Sequence, residues 1–221
     1  MRYTIILLLA LTLTGCQAAL FTSMALLKGT DSPPRYDILL KGDKRVAVVP
    51  RSAVSNMFEL QNAPREIARH LNIQLEEKVR NKKLRVVEQS KVEAWLDACN
   101  NNFQSFAEAG KHSSIQADIV VGFDIVGFQI RDPQNPDLVQ GKCQVQVQAI
   151  EVATGKILTS DDLIIIDPPN MPLSGGQSME SQFRQQFSQV IAQRIGTLFH
   201  HYDSHKLMRM DADNLEMHRL N

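Results

Sequence analysis

Cysteine is scarce in this chain of 221 residues: three occur, at positions 16, 99 and 143, and no two form a Cys-x-x-Cys pair. A zinc ribbon and a dithiol redox centre therefore have no ligand pattern to rest on. Net charge is missing as well, with 24 Lys and Arg against 24 Asp and Glu. That balance leaves no whole-molecule basic field to hold nucleic acid and no acidic excess to act as a solvating tail. The motifs Gly-x-Ser-x-Gly, His-Glu-x-x-His, the P-loop and Gly-x-Gly-x-x-Gly do not occur, so nucleophilic, zinc-hydrolytic and nucleotide chemistry have no signature. What remains is globular: 43% hydrophobic and 22% charged, in a chain long enough for one domain with appendages. The expectation is a protein without cofactor that is not an enzyme.

The first segment carries the sharpest signal. Met1-Arg2-Tyr3 is a short, weakly positive start, and Ile5 to Leu13 is an apolar run of signal-peptide length. Leu13-Thr14-Gly15-Cys16 follows. Small residues before a Cys suit a peptidase that needs an unobstructed backbone, and the thiol is the nucleophile able to carry a thioether-linked lipid. The segment resembles a bacterial lipoprotein signal with its lipobox. The resemblance implies cleavage before Cys16, a diacylglycerol on its sulfur, and an acyl chain such as palmitate on the new amino terminus. Two or three chains anchor stably where one binds marginally. Gln17, rather than Asp, follows the Cys, which in similar lipoproteins directs the product to the outer membrane, its domain facing the periplasm. The alternative is an uncleaved anchor helix over residues 5–27, interrupted by Gly15, Cys16 and Gln17.

Residues 1–15 thus read as signal peptide and 16–43 as a lipidated tether, in which Thr30-Asp31-Ser32-Pro33-Pro34 breaks any regular structure. Ile38-Leu39-Leu40 within it is either a short edge strand or a docking contact. Residues 44–200 form the domain. Lys44 to Pro50 reads as a buried strand, and Asn62 and Pro64 open a helix with Ala68, Leu71, Leu75 and Val79 on one stripe. Leu84 to Glu88 is a second strand. Ser90 and Glu93 have the spacing of a capping box, opening a helix through Trp95, Leu96 and Cys99. A short helix is expected around Phe103–Ala109. Alternation over Ile119–Ile125 shifts phase at Val126-Gly127, with Val126, Phe128 and Ile130 continuing it, which predicts a bulge. Cys143, Val145, Val147 and Ala149 alternate with Gln144, Gln146 and Gln148, a strand with one wet face. After a turn at Ala153-Thr154-Gly155-Lys156, Ile157–Ile166 returns as its partner. Ser178 begins the longest helix, with Phe183, Phe187, Val190, Ile191, Ile195 and Leu198 as its apolar stripe. Residues 201–221 are a charged, Met-rich tail, read as helical.

The fold class is α/β in the α+β sense: β-α-β-α-(α)-β-β-β-α, a mixed five-stranded sheet with helices packed on it. Three segments carry a further resemblance: Lys44-Arg45-Val46-Ala47-Val48-Val49-Pro50, Ala117-Asp118-Ile119-Val120-Val121-Gly122, and Glu151-Val152-Ala153-Thr154-Gly155-Lys156-Ile157-Leu158. Over residues 44–200 the chain is similar to the periplasmic α/β lipoprotein superfamily. That group includes the curli-secretion pore lipoproteins, the lipoprotein activators of penicillin-binding proteins and the N-terminal domain of TolB. The resemblance implies a shared fold and no shared catalytic residues. The long amphipathic hairpins of the pore formers are missing here, since the segments between strands are short and carry proline.

Candidate residues outside the anchor are few. Cys99 and Cys143 could form a disulfide in an oxidising compartment or remain free core thiols. His201 and His205 would share a helix face at i, i+4 and are weak metal candidates, against a solvated helix end. Lys82 and Lys83, in a basic run from Lys78 to Arg85, could meet lipid headgroups or a partner, or simply complement a helix C-terminus. Met208 and Met210 could form an adaptable contact surface, or the tail could fold back on its domain. The functional expectation is a lipid-anchored protein, held to the membrane through Cys16, that binds another envelope protein and serves in envelope assembly or regulation. The alternatives are a homo-oligomeric ring subunit of a secretion or transport apparatus, and a metal-binding or enzymatic periplasmic protein. No nucleic-acid partner is expected.

Overall fold

The computed structural model describes residues 31–52, 62–79, 84–131, 134, 138–160, 162–166, 171–172 and 176–204. Its centre is Arg45–Ser52 (β2), where Val46, Ala47, Val48 and Val49 are all fully buried. A strand buried on both faces reads as a continuous apolar run, and this one does. Ala63–Val79 (α1) follows and crosses back to Arg85–Val86 (β3), parallel to β2. Gln89–Ala98 (α2) and Phe106–Lys111 (α3) then lead into Ile119–Arg131 (β4), which runs parallel to β2 on its other side. Leu138–Glu151 (β5) and Asp162–Ile166 (β6) continue as an antiparallel meander. The result is a mixed five-stranded sheet in the order β3-β2-β4-β5-β6. Met171–Pro172 (β7) adds a short pairing to the start of β5, ahead of the long helix Gly176–Gly196 (α4).

The helices divide between the two faces. On the first face α1 contributes Ile67, Leu71, Leu75 and Val79 and α4 contributes Phe187, Ile191 and Ile195, over Val121, Phe123, Ile125, Val145 and Val147. Each fully buried aliphatic side chain of this kind stabilises the fold by roughly 1.5–3 kcal/mol. On the second face α2 and α3 set Val92, Trp95, Leu96 and Phe106 over Ala47, Val49, Val120 and Ile150. No helix among the described residues is long and apolar enough to cross a membrane.

Several expectations are corrected. Ser90 and Glu93 form no capping box: the N-cap of α2 lies two residues earlier, at Glu88, without a side-chain bond, and Glu93 instead takes two hydrogen bonds from Arg69 at 2.6 and 2.7 Å. The capping box lies on α3, where the Ser105 hydroxyl accepts from the Ala107 amide and Glu108 accepts from the Ser105 amide at 3.0 Å. The bulge falls between Ile125 and Gly127 as expected, yet Val126 is its extra residue and points outward, while Phe128 and Ile130 turn in. The partner of β5 is not one strand from 157 to 166. Ile157 makes an isolated bridge to Ile150 after the turn, where Gly155 takes a φ of +71° that favours glycine, and the ladder resumes at Asp162.

The stretch expected as the end of a tether is packed. Asp31–Ser32 (β1) pairs with Tyr202–Asp203 (β8), Leu39 is fully buried in a 3₁₀ turn at Asp37–Leu39, and the Tyr36 amide donates to the Leu198 carbonyl at 2.8 Å. Ile38-Leu39-Leu40 is therefore a docking contact rather than an edge strand. Residues 202–203 are extended, not helical.

Candidate functional site

Among the described residues the first sheet face lies under two long helices, and the second is covered over only half its length. Its apolar cluster ends at Phe106, whose ring lies over Gly122. A Cβ built on Gly122 would come within 2.4 Å of that ring, so the close approach of α3 to β4 requires glycine here. Beyond this point the face carries members of neither core cluster.

Ladder register names what it does carry. Arg51 on β2 lies opposite Asp124 on β4, Asp124 opposite Gln146 on β5, and Gln146 opposite Leu163 on β6. Directly opposed residues share a face, so these four side chains form one row across four strands. The next row sets Gly127, Gln144 and Ile165 side by side. Leu163 and Ile165 are 55% and 59% exposed, and Val126 at the bulge is 37% exposed.

The row begins with an ion pair. Arg51 donates from Nε and Nη2 to the two carboxylate oxygens of Asp124, both at 2.5 Å. Asp124 is buried, and the guanidinium stacks 4.7 Å from the Phe106 ring centre and 5.5 Å from that of Phe103. Hydrogen bonding to Asp124 raises the Arg51 pKa above its ordinary value against the opposing effect of burial. The pair is neutral as a unit, and the surface next to it is amide and aliphatic: Gln144 and Gln146 half-buried, Leu163 and Ile165 open. Such a surface leaves an apolar pair to bury beside half-buried amide side chains.

A second concavity runs between α1 and α4. It is an open groove of about 760 Å³ lined by Glu66, Arg69, His70, Ile73, Phe128 and Arg184 among others. In a separate, neighbouring concavity His200 is buried: Nδ1 donates to the His201 carbonyl at 2.7 Å, which leaves Nε2 to accept from the Gln74 amide at 2.7 Å. Burial chiefly, with the nearby Lys78 and His201 adding to it, pushes the His200 pKa below its ordinary value despite the bond to the His201 carbonyl. Gln74 Oε1 is buried without a partner.

The residues singled out from sequence are scattered. Leu13, Thr14, Gly15 and Cys16 lie outside the described residues, as do Lys82, Lys83, His205, Met208 and Met210. Cys99 and Cys143 are both free. Cys143 is buried in the cluster of the first face and Cys99 packs against that of the second, so the sheet separates them and no disulfide forms. Burial pushes the Cys143 thiol up to about 12, which leaves it inert. His201 sits just before β8 and lies 3.4 Å from Asp31, not on a helix, and among the described residues no group of three His, Cys, Asp or Glu side chains could hold a metal ion. Arg51, Asp124, Leu163 and Ile165 were not legible as a site. The alternating glutamines of β5 marked the wet face, but its neighbours depend on long-range register.

No protein-family model matches the chain, and no curated protein matches it. Among solved structures it is similar to the PelC dodecamer from Paraburkholderia phytofirmans, at 14% identity and a TM-score of 0.39, covering 76% of this chain and 92% of that one. It is similar to lipoprotein GNA1162 from Neisseria meningitidis at 10% identity and a TM-score of 0.38, covering 63% and 91%. It is also similar to a minor lipoprotein from Acinetobacter baumannii at 10% identity and a TM-score of 0.35, covering 78% and 95%.

Proposed function

We propose that this chain is a non-catalytic, lipid-anchored protein of the bacterial envelope that binds a partner protein through the uncovered half of its sheet. One observation carries the binding part: Leu163 and Ile165 stand more than half exposed on one face, with Leu163 in the row that runs through Gln146 to the Arg51–Asp124 ion pair. Exposed aliphatic side chains grouped on a flat, hydrogen-bonded scaffold are a feature of interaction surfaces rather than of isolated monomers. The anchor rests on Leu13-Thr14-Gly15-Cys16 after the apolar run, and Gln17 supports the outer membrane as destination.

The two parts work together. A domain held by acyl chains meets its partner at a fixed height above the membrane, which raises effective concentration without any new contact. Nothing in this mechanism needs bond chemistry; recognition and placement suffice for a role in envelope assembly or regulation.

Two variants of the full chain, produced in cells, test the reading. C16S is expected to lose incorporation of radiolabelled palmitate and to leave the membrane fraction. L163E/I165E is expected to keep the label and the fold while losing the higher-mass adduct that formaldehyde gives with the unmodified sequence. Retention of that adduct by L163E/I165E contradicts the assigned surface.

A further inference from the structure

His200 and Gln74 meet where α4 has ended and the chain turns toward β8. His200 is buried, and its ring is held at both nitrogens. A carbonyl oxygen can only accept, so the 2.7 Å contact with the His201 carbonyl places the ring proton on Nδ1. Nε2 of the neutral ring is then a bare acceptor, and the Gln74 amide nitrogen 2.7 Å away must donate to it. That choice directs Gln74 Oε1 elsewhere, and the oxygen is buried with no hydrogen-bond partner. An acceptor buried in this way is costly. The last residue of α4 makes room for the whole amide: a Cβ built on Gly196 would fall 2.5 Å from Gln74 Nε2 and 2.7 Å from Cδ and Oε1.

A second proton on the ring changes what it asks of Gln74. Imidazolium carries N–H on both nitrogens, so its Nε2–H would point at the Gln74 amide nitrogen, donor against donor. A half-turn of the amide about its Cγ–Cδ bond exchanges nitrogen for oxygen with almost no change of shape. We propose that Gln74 and His200 form a proton-reading latch between α1 and the end of α4, closed by the Gln74 N–H on the neutral ring and by the turned Gln74 Oε1 on the charged one. The second bond is charge-assisted and the stronger, which offsets the amide hydrogens that the turn leaves unpaired. Other charges share this cavity: His70, Glu77 and Lys78 from α1, Asp31 from β1, and His201, Tyr202 and Asp203 after α4. Burial opposes the imidazolium most, Lys78 and His201 add to that, and the His201 carbonyl favours it. The cation thus forms only below the ordinary histidine range, and the turned amide holds it there without opening the junction. The latch bears on the clasp of the N-terminal arm, because His201 lies 3.4 Å from Asp31 and leads directly into the β1–β8 pairing.

The test uses the full chain in detergent, labelled with nitrogen-15 and followed by NMR from about pH 8 to about pH 4, with H200Q identifying the ring signals. The neutral ring is expected as the Nδ1–H form. On acidification the side-chain amide signals of Gln74 are expected to move with the His200 ring at one shared midpoint, while near-UV circular dichroism stays unchanged. Q74E supplies an acceptor that needs no turn, and it is expected to raise the His200 midpoint by about one pH unit or more. Q74M removes both bonds, and since the charge-assisted one is the larger loss, the midpoint is expected to fall. An amide that stays fixed helps only the neutral ring, so Q74M would then raise the midpoint. That sign would overturn the latch, as would Gln74 amide signals that stay still through the His200 titration. A His200 ring that becomes charged only as the near-UV signal is lost would overturn it too.

Discussion

Arg51 and Asp124 face each other across parallel strands and share two hydrogen bonds of 2.5 Å, with Phe106 stacked on the guanidinium. The pair marks the boundary between the covered and open halves of the sheet. On one side α3 closes over β4; on the other the ladder continues through Gln146 to Leu163 with no helix-borne cluster above it among the described residues.

Breaking that pair from one side should be costly. R51M leaves the Asp124 carboxylate buried without its partner, and removal of one member of a buried pair costs about 3–5 kcal/mol. Arg51 is about one-third exposed, which places the expected loss at about 3 kcal/mol. Urea denaturation of R51M, D124L and the double variant checks this. The double variant should recover most of the loss, since no unpaired charge remains buried.

G122A should also destabilise, by about 1–3 kcal/mol, because the new methyl meets the Phe106 ring. F106L should partly relieve it. Thermal melts of the two single variants and the double variant would show a loss smaller than the sum of the parts if contact between these two residues is the cause.

Acid should weaken the junction at the end of α4. His200 is held neutral with its pKa below the ordinary 6.5, so between its folded value and 6.5 the unfolded chain binds more protons than the folded one. Stability is therefore full above pH 6.5 and falls as the pH drops below it. Melting temperatures measured from pH 8 to pH 5 should decline in the unmodified chain, and H200Q should show a shallower decline across the same window.

The reach of sequence reasoning follows from how local each signal is. The stripe on α1 and the alternation of Cys143, Val145, Val147 and Ala149 are periodicities within one element, and every one of those strand residues is buried as the pattern implies. Leu163–Ile166 is a continuous apolar run, so nothing within it says that Leu163 and Ile165 stay exposed while Ile166 is buried. That distinction comes from the register with β5. Arg51 and Asp124 are separated by 73 positions and meet only because β4 lies parallel to β2. The capping box at Ser90 failed because Glu93 has a stronger partner in Arg69, a tertiary contact that spacing does not reveal.

The cysteines give a simple chemical check. Cys99 is half-buried at the end of α2 and Cys143 fully buried with its pKa near 12. An alkylating reagent at neutral pH should modify Cys99 slowly and Cys143 only after denaturant is added. Mobility on a gel should be the same with and without reductant. A shift on reduction, or rapid labelling of Cys143 in the native protein, would contradict the placement of the two thiols on opposite faces.

The central claim is that the open half of the sheet is the working surface. A photo-crosslinking amino acid placed at Leu163, and separately at Glu76 on the exposed side of α1, tests it in intact cell envelopes carrying the full-length chain. The account predicts a discrete protein adduct from position 163 and none from position 76. An adduct from position 76 alone would move the binding surface to the helical layer and contradict it.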